Sequence, residues 1–205
     1  MLVKSQNEFE AGRSDEALRL IESALVTFLR GGASDMLGIA KAFYSAAYIH
    51  IEKERFEEAI RALDDAKMWY DRSKAKPAPG DKDNVHMHMI LRKRARAFNY
   101  MNEHPRACED MRRALIAIIK ERGLNDEMVG EYYCAYGRYL IDAERIEEAF
   151  RQLTDAVSLY ERLIEKHGYA IVVHPGGERP GKGKPFVLYD DLHEAYGLFV
   201  LACAE

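Results

Sequence analysis

The sequence predicts an all-α fold: a solenoid of about four helix-turn-helix repeats with an extra helix at its C-terminal end. A short phrase returns four times, a small residue, an aliphatic four positions on, and another small residue three further. It reads Ala17, Ile21, Ala24; Ala59, Leu63, Ala66; Ala107, Met111, Ala114; and Ala149, Leu153, Ala156. Spacings of four and three keep to one helix face, and small residues there let a neighbouring helix approach closely. The phrases lie 42, 48 and 42 residues apart, a period that denotes stacked helical hairpins. Composition agrees, since 205 residues that are 48% hydrophobic and 31% charged suffice for a continuous core and exclude a disordered tail.

Taken in order, each phrase opens the second helix of a hairpin, after a charged turn at residues 12–16, 54–58, 102–106 and 144–148. Met1 falls inside the first helix of the first hairpin, so that hairpin is expected to lack its opening turn, either because the chain begins abruptly or because it continues something longer. Gly31 and Gly32 end the first hairpin, with Ser34 or Asp35 placed to cap the next helix. Residues 73–84 form a longer polar loop that accounts for the 48-residue step, and a helix is expected to begin at Asn84, Val85 and His86. Gly123 with Asn125 and Asp126 separates the third and fourth hairpins. These repeats span residues 1–167. Residues 168–189 hold two β-favouring runs, 170–173 and 186–189, around a Gly/Pro-rich stretch, and read as a short β-prone flap or hairpin insertion. Residues 190–205 read as a last solenoid helix, the whole making a single structural domain. From Tyr196 to Cys203 that helix is apolar throughout and wants burial on more than one side. Tyr196, Phe199 and Val200 are therefore candidate interface residues, for a second copy of the chain, a partner, or further sequence of a longer protein.

The first helices carry a further pattern. In the fourth unit Tyr133, Tyr136, Gly137 and Leu140, followed by Ile146, Ala149, Leu153 and Ala156, run large, large, small, large, aliphatic, Ala, large, Ala. The second unit has Phe43, Ala46, Ala47, His50, Phe56, Ala59, Leu63 and Ala66; the third has Leu91, Arg94, Ala95, Phe98, Ala107, Met111 and Ala114, with Arg94 departing from an apolar column. This pattern resembles the tetratricopeptide repeat (TPR) family over about residues 1–165. The family's closing proline is missing, and the period exceeds the usual length of about 34 residues, so the units resemble long-period variants of that repeat. The resemblance implies that the first helices line a concave groove, faced by residues one and five places after the first large apolar column. Those positions are Tyr44 and Tyr48, Arg92 and Arg96, and Cys134 and Arg138. Asn99 continues the face of Arg92 and Arg96, with Lys93 at its edge. The positions that clamp a C-terminal carboxylate in some members fall here on Leu2, Gln6, Ser45, Met89 and Lys93, and do not reproduce that clamp.

Enzymatic chemistry finds little support. Gly176, Gly181 and Lys182 satisfy the spacing of a phosphate-cradling loop, but Gly183 stands where a Ser or Thr should bind magnesium, Pro185 follows, and no helix begins at the lysine. His86 and His88 make an HxH pair; a helix starting there would put the rings on different, solvated faces, and no third ligand is locally spaced. The carboxylate pairs Glu57–Glu58, Asp64–Asp65 and Glu147–Glu148 read as solubilising surface or as complements to helix N-termini. Three cysteines without CxxC spacing argue against a disulfide framework or a zinc site. No catalytic residue, metal or cofactor is expected. The net charge of −4 disfavours bulk nucleic-acid or membrane binding, no apolar run reaches membrane length, and residues 1–6 lack a signal-peptide pattern, so the expected location is cytoplasmic.

What remains is the groove: two tyrosines beside Arg92, Lys93, Arg96, Asn99 and Arg138. Arginine forks suit carboxylates and tyrosine faces suit apolar side chains. The expected function is a protein–protein interaction module that binds an acidic peptide or protein segment there, as an adaptor, a partner-specific chaperone or the sensor part of a larger regulator. Three alternatives stay open: a solvated helix face paired with acids of neighbouring units, nucleic-acid binding through the basic cluster, and a nucleotide or phosphate role for the Gly-rich flap.

Overall fold

The computed structural model describes residues 2–81, 83–166 and Gly197. Eight α-helices make up the described chain: α1 (Leu2–Glu10), α2 (Ser14–Arg30), α3 (Met36–Glu52), α4 (Phe56–Arg72), α5 (Met87–Tyr100), α6 (His104–Arg122), α7 (Glu127–Asp142) and α8 (Ile146–Lys166). There is no strand among the described residues. The flap and the terminal helix expected at 168–205, with Tyr196, Phe199 and Val200, lie outside them. Two compact units divide the chain, residues 1–114 and 115–205.

In the first unit α1 packs on α2, α2 on α3, α3 on α4, and α4 on α5. The recurrent phrase explains the close approach. Ala17, Ile21, Ala59, Leu63, Ala66, Ala107, Met111 and Ala114 are all buried, so each second helix presents a flat strip of small residues with one large side chain standing out of it. Full burial of Ile21, Leu63 or Met111 contributes roughly 1.5–3 kcal/mol each. One core joins α3, α4 and α5 through Ala47, Ile51, Leu63, Val85 and Ile90, and another joins α2 and α3 through Ala17, Ile21, Ala42 and Ile49. In the second unit α7 packs on α8, with Ala149, Leu153 and Ala156 buried in the same way. A Cβ on Gly137 would sit 2.6 Å from Leu153 Cδ2; the small column there is a steric requirement.

The four hairpin turns share one backbone solution. Gly12, Glu54, Asn102 and Glu144 adopt φ of 79°, 57°, 59° and 59°, each five residues before the first alanine of its phrase. The next residue then donates its N–H five residues back, Arg13 to Glu8, Arg55 to His50, Glu103 to Phe98 and Arg145 to Leu140, at 2.8–2.9 Å. This is the bond pattern that satisfies the last carbonyls of a helix after a left-handed residue. Asp35 caps α3 by accepting from Gly38 N at 2.7 Å, and Asp126 caps α7 by accepting from Met128 N at 3.0 Å.

The start of α5 differs from expectation. The sequence suggested a helix beginning at Asn84, Val85 and His86, but His86 is extended, with φ −112° and ψ 155°, and α5 begins at Met87. Asp81 is the reason. Its carboxylate accepts from Asp83 N and Asn84 Nδ2, both at 2.9 Å, and its carbonyl accepts from His86 Nε2 at 2.7 Å. Such local side-chain bonds compete with helix. The two histidines are therefore neither solvated nor on separate faces: both are buried, with ring centroids 5.5 Å apart.

Candidate functional site

Helices α1, α3 and α5 bring one cluster of groove residues together. A cavity of about 370 Å³ opens between them, lined by Leu2, Ser5, Phe9, Tyr44, Tyr48 and Lys93 among others. Tyr44 and Tyr48 stand one turn apart on α3, so both rings reach the same side. Phe9 of α1 meets Tyr48 edge-on, with centroids 5.3 Å apart. The Lys93 ammonium lies 4.3 Å from the centroid of Tyr48 on α5's side.

Three cations of α5, Lys93, Arg94 and Arg96, have different fates. Arg94, which breaks the apolar column, forks onto Asp110 of α6 with Nε–Oδ2 at 2.6 Å and Nη2–Oδ1 at 2.7 Å, and also pairs with Asp64 of α4. Asp110 is buried. Charge-assisted bonds to Asp110 raise the Arg94 pKa further above its ordinary value, so Arg94 stays charged and works as a pin across three helices. Asp64, read from sequence as solubilising surface, is thus part of an inter-helix ion pair, while burial raises the pKa of its neighbour Asp65. Arg96 bonds Tyr100 Oη at 3.2 Å and Glu52 Oε1 at 3.4 Å, and its guanidinium lies 5.3 Å from the Tyr100 ring centroid. Asn99 is tied to α6, its Oδ1 3.0 Å from His104 Nδ1.

Lys93 is the exception. It has no carboxylate within ion-pair distance among the described residues, and its contact is the face of Tyr48. Burial, with Arg96 and Arg92 adding like charge against a weaker pull from Glu52, pushes its pKa down to about 8. Burial penalises the charged form and like charges reinforce the penalty.

Arg138 is exposed on α7 and belongs to the second unit. Cys134, which the family rule placed in the groove, is buried instead. Sequence reasoning missed two contributors. Phe9 of α1 was passed over because groove positions were assigned only in the second to fourth units, although its spacing of seven from Leu2 puts both on one helix face. Asp110 was missed although Arg94, a cation in an apolar column, signalled that a buried acid must face it.

No family model matches the chain, and no curated protein matches it in sequence. Solved structures do match in fold. BtubC (BKLC) from P. vanneervenii superposes with a TM-score of 0.68 at 15% identity, covering 98% of this chain and 76% of that one. Nearly identical TPR-like repeats from Podosopora anserina give 0.67 at 14% identity, covering 96% and 84%. The fold is a TPR-like α-solenoid. MamA from Desulfovibrio magneticus RS-1, from its residue 41 to its end, gives 0.55 at 15% identity, covering 98% of this chain and 90% of that one. No helix among the described residues is long and apolar enough to cross a membrane.

Proposed function

We propose that this TPR-like solenoid is a protein-interaction module rather than an enzyme, and that the cavity between α1, α3 and α5 holds a peptide or protein segment carrying an acidic group beside an apolar side chain. The observation that carries this reading is Lys93: a half-buried ammonium at an aromatic wall, next to Arg92 and Arg96, without a carboxylate of its own among the described residues. An incoming Asp, Glu, phosphate or terminal carboxylate relieves that repulsion, while Phe9, Tyr44 and Tyr48 offer apolar area to the neighbouring residue. Repeat solenoids supply extended surfaces suited to such segments. Adaptor, partner-specific chaperone and sensor roles all follow from this one activity.

Selection of random peptides displayed with internal and free C-terminal ends tests it. The enriched sequences are expected to pair an acidic group with an aromatic or aliphatic residue. Lys93→Met is expected to weaken their capture by about tenfold or more, a charge-assisted hydrogen bond being worth roughly 1.5–3 kcal/mol. Charge reversal at Arg96 is a poor probe, because it would set a carboxylate against Glu52. Equal capture by the parent, Lys93→Met and Tyr48→Ala proteins would place binding elsewhere.

A further inference from the structure

The lysines with defined positions differ in what holds their ammonium. Lys53 pairs with Asp15, Lys67 with Asp71 at 2.6 Å, and Lys41 and Lys76 donate to the carbonyls of Asp83 and Tyr70. Lys4, Lys74 and Lys120 are exposed. Lys93 combines burial, an aromatic contact and two neighbouring cations, at the edge of a cavity whose wall includes Leu2, Phe9, Ile21, Tyr44 and Ile49. The charged groups around it are Arg92 and Arg96 on its own helix, Glu52 and Lys41 on α3, and Glu10 on α1; Glu52 is engaged by Arg96.

We propose that Lys93 is an acyl-acceptor site, its ε-amine taking an apolar acyl group from a thioester while the acyl chain lies in the cavity between α1 and α3. The nitrogen lone pair attacks the thioester carbonyl; the C–N bond forms, the C–S bond breaks, the thiolate leaves with its electron pair, and the nitrogen gives up its proton to water. Three features of the site favour this. With the pKa down to about 8, about a tenth of the amine is free at neutral pH, against a few parts in ten thousand for an ordinary lysine, and the accompanying fall in nucleophilicity cancels only part of that gain. The apolar wall removes the acyl chain from water. The amide formed is neutral, so one of three adjacent positive charges disappears. The inference does not depend on peptide binding in the same groove.

The test uses the whole protein at about pH 7 with a limiting amount of the octanoyl or acetyl thioester of N-acetylcysteamine, followed by peptide mapping in a mass spectrometer. Lys93 is expected to be acylated about tenfold faster than Lys4, Lys74 or Lys120, with a pH midpoint of about 8. Octanoyl transfer is expected to be about tenfold faster than acetyl transfer, a preference that Phe9→Ala reduces. Acylation spread over the exposed lysines, or at Lys93 without chain-length preference, overturns the proposal. Peptide selection can fail while Lys93 is acylated, and the reverse, so the two readings stand or fall separately.

Discussion

At the scale of the residue, Lys93 shows how position outweighs identity. Its ammonium is desolvated and has no ion pair among the described residues, so each proton kept there costs the folded state. Because the folded pKa of about 8 lies below the ordinary 10.5, both states hold the proton below about pH 8, and the full cost falls on the folded state. Between those values the unfolded chain keeps the proton that the folded one has released, so stability rises with pH, and above the unfolded value the cost is gone. Lys93→Met, which keeps the aliphatic stem and removes the charge, is expected to stabilise the protein by about 1 kcal/mol at neutral pH, after allowing for the water that reaches the side chain. The gain should shrink towards pH 10, as measured by urea unfolding at several pH values. A gain that does not change with pH would mean that the charge costs nothing where it sits. The order Arg92, Lys93, Arg94, Ala95, Arg96 marks Arg94 by its apolar column but does not say which cation lacks an acid. Their acids lie 44 residues away for Arg96 and 30 and 16 residues away for Arg94, and only folding decides which cation is left without one.

At the scale of the element, helices and their order were legible because burial imposes a period. The alanines of the four phrases had to meet another helix, and they do. The start of α5 was not legible, because Asp81 reaches forward by side-chain and carbonyl bonds that leave no periodic trace. Arg94 occupied an apolar column, and the structure resolves the discord by giving it a buried carboxylate. Removing one side of that pair leaves an uncompensated charge in the interior, whereas removing both does not. Arg94→Leu is accordingly expected to cost about 3 kcal/mol in urea unfolding, and Arg94→Leu with Asp110→Leu to recover most of it. Additive losses in the double variant would show that the pair earns its place by attraction and not merely by mutual compensation.

At the scale of the whole molecule, a repeat architecture makes stability a sum of local terms. Gly137→Leu drives new atoms into Leu153 and is expected to cost about 1–3 kcal/mol. Hydrogen exchange should then show protection lost in α7 and α8 while α3 and α4 keep theirs; equal loss in all four helices would mean that the two units open as one. The groove was legible only in outline. The repeat resemblance pointed to Tyr44 and Tyr48, which line the cavity, but it assigned no groove position on α1. The left-handed turns have a last consequence. An L-residue in that conformation costs about 1–2 kcal/mol, while glycine there frees the unfolded chain by a comparable 0.4–1 kcal/mol or so, and the chain uses Gly12, Glu54, Asn102 and Glu144 for the same bend. Side-chain identity at the bend is therefore nearly free to drift. A gene encoding such a chain can grow by duplicating one hairpin at that residue, because the new junction only repeats a bend that the fold already accepts in four copies.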